Sequence, residues 1–235
     1  MDGTLFDTEF IFQRIWNEIA GEMGLVLPDS FKYEICGTNG AVMNGVIEKY
    51  YHVSDGQVIQ NECRRRVDKI FARYVPEKPG CREILHFFRE HGYKIAMGSS
   101  SRITRIEGNL HQTGLRDAFD AIAGGDEVEH GKPEPDVFLL AASRLGVDPR
   151  DCYVFEDSPN GVRAGVKAGM RTIMVPDLMP VTDDLIPIAY GIFKNLSEAQ
   201  EFLEKEYKEN QDSGMTSIAS SALARTAVLL RCAES

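Results

Sequence analysis

The sequence predicts an α/β fold, a parallel sheet with helices on both faces and an all-helical unit inserted near its start. Two observations carry this. Between about residues 12 and 77 apolar side chains recur with a helical period and strand signals are few. From Pro79 onward, short buried apolar runs alternate with helical ones, which is the pattern of a parallel sheet covered on both faces.

Taken in order, Phe12, Ile15, Trp16, Ile19 and Met23 mark an amphipathic helix that stops at Gly24. From Pro28 to Tyr74 the helical character continues through Val42, Val46 and Ile47, then Val67, Ile70 and Phe71. Cys81 to His91 reads as a helix, Tyr93 to Met97 as a buried strand and Arg102 to Thr113 as a helix. The spacing then predicts strands at Ala121 to Ala123, Tyr153 to Phe155 and Thr172 to Val175, with helices over Asp136 to Leu145 and Pro159 to Ala168 between them. A last helix is expected from Ser197 to Tyr207. Beyond it, the Ser- and Ala-rich tail around the apolar Ala227 to Leu230 is expected to be poorly ordered or a short helix.

Composition narrows the function. Thirty-six acidic against 26 basic residues leave a net charge of −10, which argues against nucleic acid as a partner. No apolar run approaches the roughly 20 residues needed to span a bilayer, so a cytoplasmic location with no membrane partner is expected. The five cysteines are scattered and odd in number, and read as reduced thiols.

Four segments carry candidate chemistry. Residues 1 to 9 read Met-Asp-Gly-Thr-Leu-Phe-Asp-Thr-Glu, whose Asp-Gly-Thr is on its own an ordinary turn. Residues 93 to 101 end in three serines. A hydroxyl at a strand-to-helix turn, here Ser99 with Ser100 beside it, binds phosphoryl oxygens or else caps the next helix. In Gly131-Lys132-Pro133-Glu134-Pro135, the proline restricts the backbone of Lys132 to extended conformations and so aims its ammonium. In Val154-Phe155-Glu156-Asp157-Ser158-Pro159, two adjacent carboxylates end a buried strand, a costly arrangement without a cation; oxygen-only ligation suits magnesium.

In this order, the four segments resemble the motifs of the helical-capped phosphatases and phosphomutases of the haloacid dehalogenase superfamily, the sugar-phosphatase and beta-phosphoglucomutase group. The resemblance covers roughly residues 1 to 207. It implies a Rossmann-like core over residues 1–11 and 78–210, a helical cap over 12–77 and a tail over 211–235. It implies catalytic roles for Asp2, Ser99 and Lys132, and Mg2+ held by the Asp2 carbonyl, Asp157 and Glu156. Gly37, Thr38 and Asn39, in a cap loop like the family's substrate-facing loop, and Ser100 are implied as substrate-binding.

The family's first motif is Asp-x-Asp-Gly-Thr-Leu, and Met1 falls on its middle position. The resemblance therefore leads to the expectation that Asp2 is the second, proton-transferring aspartate and that the attacking one is lacking. Loss of its strand would remove on the order of 10 kcal/mol, so the native product is expected to start upstream of Met1, and the chain as given to be nearly inactive. The implied activity is magnesium-dependent hydrolysis of small phosphorylated metabolites, sugar phosphates above all, through an aspartyl-phosphate, by a monomer or weak dimer. The alternatives are a phosphomutase, disfavoured because residues 36–40 offer no cation for a second phosphate, and an inactive member that only binds phosphate ligands or a partner.

Overall fold

A computed structural model describes residues 1–36, 38, 40–212 and 226–231, the last six and 210–212 as backbone alone. The chain opens on a tight turn. Leu5 and Phe6 donate their N–H groups to the Met1 carbonyl, and Gly3 donates to that of Phe6. It then enters four helices, α1 (Thr8–Glu22), α2 (Asp29–Ile35), α3 (Gly40–Tyr51) and α4 (Gly56–Phe71). These form the inserted cap. Its centre is aromatic: Trp16, Phe31 and Tyr51 meet edge to face at 6.0 to 6.3 Å, and the Tyr51 hydroxyl donates to the Trp16 carbonyl.

The two crossings between cap and core lie side by side. Asp7 N–H donates to the Pro76 carbonyl and Lys78 N–H to that of Leu5, at 2.8 and 2.7 Å. Lys78 also pairs through its ammonium with Asp7 and with Asp177 of the core. The Arg105 guanidinium of the core lies over the rings of Phe12 and Phe71, where the cap helices begin and end.

Beyond the hinge come α5 (Cys81–Glu90), β1 (Lys94–Ser99), α6 (Ile103–Thr113), β2 (Ala121–Ala123), α7 (Asp136–Leu145), β3 (Cys152–Glu156), α8 (Pro159–Lys167), β4 (Arg171–Met174), β5 (Gly191–Ile192), α9 (Leu196–Asp212) and β6 (Thr226–Arg231). All strand pairs are parallel, in the order β2-β1-β6-β3-β4-β5. Side chains alternate across the sheet as the strand period requires. Ile95, Met97, Tyr153 and Phe155 pack with α5 and α9, whereas Ala96, Cys152 and Val154 pack with α7 and α8. Both faces are thereby dry. Cys81 and Cys152 sit inside, and burial pushes both thiols up to about 12.

The sheet matches the sequence expectation except at its centre and one edge. The short edge strand β5 had no legible apolar run. More consequentially, the tail expected to be loose supplies β6, which lies between β1 and β3 with Ala227 opposite Ile95 and Tyr153. Its apolar run satisfies two open rows of backbone donors and acceptors in the middle of the sheet.

Candidate active site

The carboxyl ends of parallel strands are where such sheets bind ligands. Here β1 ends in Ser99 and β3 in Glu156. The opening turn lies against both. Gly3 takes a positive φ of 66°, and a Cβ on it would come within 2.6 Å of Asp157 Oδ2, so only glycine lets the turn approach that carboxylate. Thr4 Oγ1 donates to Asp157 Oδ1 at 3.1 Å.

Asp2 is fully buried and held from two sides. Thr8 Oγ1, in the first turn of α1, donates to its Oδ1 at 2.8 Å, and Ser101 Oγ donates to its Oδ2 at 3.3 Å. Ser99 is buried beneath this and accepts from the Ser101 N–H. The Lys132 and Glu156 side chains have no exposed surface, and the ammonium donates to Glu156 Oε1 at 2.5 Å. The other oxygen of Glu156 accepts from the N–H and hydroxyl of Ser158, which in turn caps α8 by accepting from Gly161 N–H. A Cβ on Gly161 would overlap the Glu156 carboxylate at 1.8 Å, so the helix start is open where that group lies.

These groups converge around residue 1. Burial pulls the Met1 amino group down to about 5, and the charges acting on it there are those of Asp2, Lys132, Glu156 and Asp157. The structure thus brings together Asp2, Ser99, Lys132, Glu156 and Asp157. Thr38 is half-buried in the cap and its hydroxyl donates to the Ile35 carbonyl at the end of α2, while Gly37 and Asn39 lie outside the described residues. Ser100 is half-buried and its carbonyl packs against Gly125.

Three residues escaped the sequence reading. Thr8 and Ser101 fix Asp2, and the third serine of the run, rather than the second, reaches the carboxylate. Asp177, after β4, stands with its Oδ2 3.1 Å from the same point over Gly3 that Asp157 approaches. Nothing in Val175-Pro176-Asp177-Leu178 marks it out in the sequence.

For magnesium, the donors at the site are of the right chemistry, all oxygen: the Asp157 carboxylate and the Asp2 carbonyl. Glu156, expected as a ligand, already has both oxygens engaged by Lys132 and Ser158. Among the described residues no group of three or more His, Cys, Asp or Glu side chains is spaced to hold a metal unaided. The donor set fits an ion held by few protein oxygens, with the rest of its shell supplied by water and substrate. Among the described residues no helix is long and apolar enough to cross a membrane.

The model of haloacid dehalogenase-like hydrolases matches residues 1–175. Hexitol phosphatase B of Escherichia coli O157:H7 is 33% identical over 206 residues, covering 84% of this chain and 90% of that protein. Fructose-1-phosphate phosphatase YqaB of Escherichia coli K12 is 34% identical over 183 residues, covering 74% and 93%. The crystal structure of a HAD family hydrolase from Deinococcus radiodurans R1, with bound phosphate and sodium, superposes with a TM-score of 0.75 at 25% identity, covering 87% and 93%. One expectation is corrected by these findings. The first motif was expected to lack its attacking aspartate and to keep Asp2 only as the second; the match begins at residue 1, and the aspartate of the motif, Asp2, is present and engaged, buried and hydrogen-bonded on both oxygens.

Proposed function

The chain belongs to the haloacid dehalogenase-like hydrolase family, and from that premise we propose that it hydrolyses phosphate monoesters of small sugar-like metabolites with magnesium. The observation that carries the reading is the buried Lys132–Glu156 pair beside Asp2 and Asp157 at the carboxyl edge of the sheet. A lysine fixed by one carboxylate keeps two donors for phosphoryl oxygens. Glu156 acts as its positioning residue. Asp2, held by Thr8 and Ser101, takes the proton of the water whose oxygen bonds to phosphorus and returns one to the leaving-group oxygen as its bond to phosphorus breaks. Ser99 directs its hydroxyl hydrogen to the phosphoryl group, and the Ser100 turn supports it. Asp157 and the Asp2 carbonyl would hold magnesium, which when bound neutralises phosphoryl charge. Gly37, Thr38 and Asn39 are assigned to substrate binding, and residues 36–40 include no Lys or Arg, which favours hydrolysis over a mutase reaction. The sugar-phosphate class is supported by what the two phosphatase relatives are named for.

The test is phosphate release from a panel of sugar phosphates with and without magnesium, with product analysis on glucose 1-phosphate. Free phosphate is the expected product. Chiefly glucose 6-phosphate would overturn hydrolysis in favour of the mutase. Calorimetry on Asp157→Ala should find magnesium binding strongly weakened; unchanged affinity removes the metal assignment.

A further inference from the structure

A groove of about 450 Å³ opens beside the hinge, between α1, the approach to α2 and the loop that follows β4. Two of its lining residues carry polar atoms without a partner among the described residues. The Asp177 side chain is nine-tenths buried, at 10% exposure; its Oδ1 takes the Lys78 ammonium at 2.6 Å, but its Oδ2 meets no donor among the described residues. Gln13 Nε2 is likewise buried without an acceptor. Leaving such a group open is unfavourable, and a ligand hydroxyl, which both gives and takes a hydrogen bond, relieves either one.

The remaining lining fits the same chemistry. Phe10 is 62% exposed at the groove and lies one turn before Gln13 on the same face of α1, with Asn17 one turn beyond. An exposed ring beside a carboxylate and two amides offers an apolar surface for C–H groups and polar atoms for hydroxyls. Two cations line the groove and each has a carboxylate partner, Lys78 with Asp7 and Asp177 and Lys32 with Asp29 at 3.6 Å, which favours hydroxyls over a second anion. Asp177 Oδ2 also adjoins the space over Gly3 where Asp157 lies, so the groove and the catalytic turn share a wall.

We propose that this groove holds the polyhydroxylated carbon skeleton of the substrate, with Asp177 accepting from one hydroxyl, Gln13 donating to another and Phe10 covering the carbon face. The proposal rests on the phosphatase reading for its place in catalysis, but the groove can be tested apart from it. Gln13→Leu and Phe10→Ala alter half-exposed or exposed positions of α1. In the full chain, kcat/KM for glucitol 6-phosphate relative to p-nitrophenyl phosphate, which has no polyol, should fall at least tenfold in each variant, mainly through KM. An unchanged ratio in both overturns the proposal. In parallel, glucitol alone is titrated against the chain by NMR, with weakened binding expected in Gln13→Leu. Should neither ester be hydrolysed, the phosphatase reading fails, and the titration decides for the groove: glucitol binding that Gln13→Leu weakens supports it, and no binding, or equal binding by the variant, refutes it.

Discussion

Lys132 and Glu156 bring opposite charges into a place that water does not reach, so each depends on the other. Removing one partner of such a pair leaves a buried uncompensated charge, at about 3–5 kcal/mol, whereas removing both costs much less. Lys132→Met should therefore lower unfolding free energy in urea by that amount, and adding Glu156→Gln should restore a good part of it. Gly161 sets a second expectation at this scale. Alanine in a helix gains about 1 kcal/mol over glycine, but its methyl group would fall 1.8 Å from Glu156 Oε2. The clash should win. Gly161→Ala is expected to lose about 1–3 kcal/mol, as overpacked sites do, and to impair turnover by displacing the partner of Lys132; a stabilised variant with normal turnover would contradict this. The placement of Glu156 and Asp157 at the end of a buried strand was legible, whereas the pairing of Glu156 with Lys132 was not. Residue identity was poorly legible where three serines offer equivalent hydroxyls and only backbone geometry selects Ser101 for Asp2.

At the scale of elements, the hinge joins cap to core through two adjacent crossings and one cation. Lys78 stands between Asp7 and Asp177. Burial alone would lower its pKa, but the hydrogen bonds and charges of the two carboxylates outweigh it and the net shift is upward. A lysine raised in the folded state contributes stability that is complete below its ordinary value of 10.5 and is lost as pH climbs through the raised value. Wild type should thus lose stability relative to Lys78→Arg, whose guanidinium stays charged, only above about pH 10.5. Parallel curves across that range, followed by thermal melts, would remove the hinge pairing from the account. The helices of the cap and core were legible because their apolar period is long. The hinge was not, since Lys78, Asp7 and Asp177 are far apart in sequence and each alone reads as a solvated charge.

For the molecule as a whole, the decisive element is β6. The alternation of strands and helices made the parallel sheet legible, but a lone apolar run after a long helix carries no sign of which strands it will join. It joins the two in the middle. A chain ending at residue 212 should expose the inner edges of β1 and β3 and melt far below the full chain, or fail to fold, by circular dichroism. Retention of the full melting temperature would mean that β6 contributes nothing to the sheet.

Because β6 comes last in sequence yet sits at the centre, the sheet consists of two slabs, β2-β1 on one side and β3-β4-β5 on the other, with a slot between them. Nothing in the register requires the wedge to be covalently continuous with α9. A peptide spanning residues 226–231, offered to the shortened chain, would meet the same two rows of backbone partners that β6 meets, and is expected to raise its melting temperature toward that of the full chain.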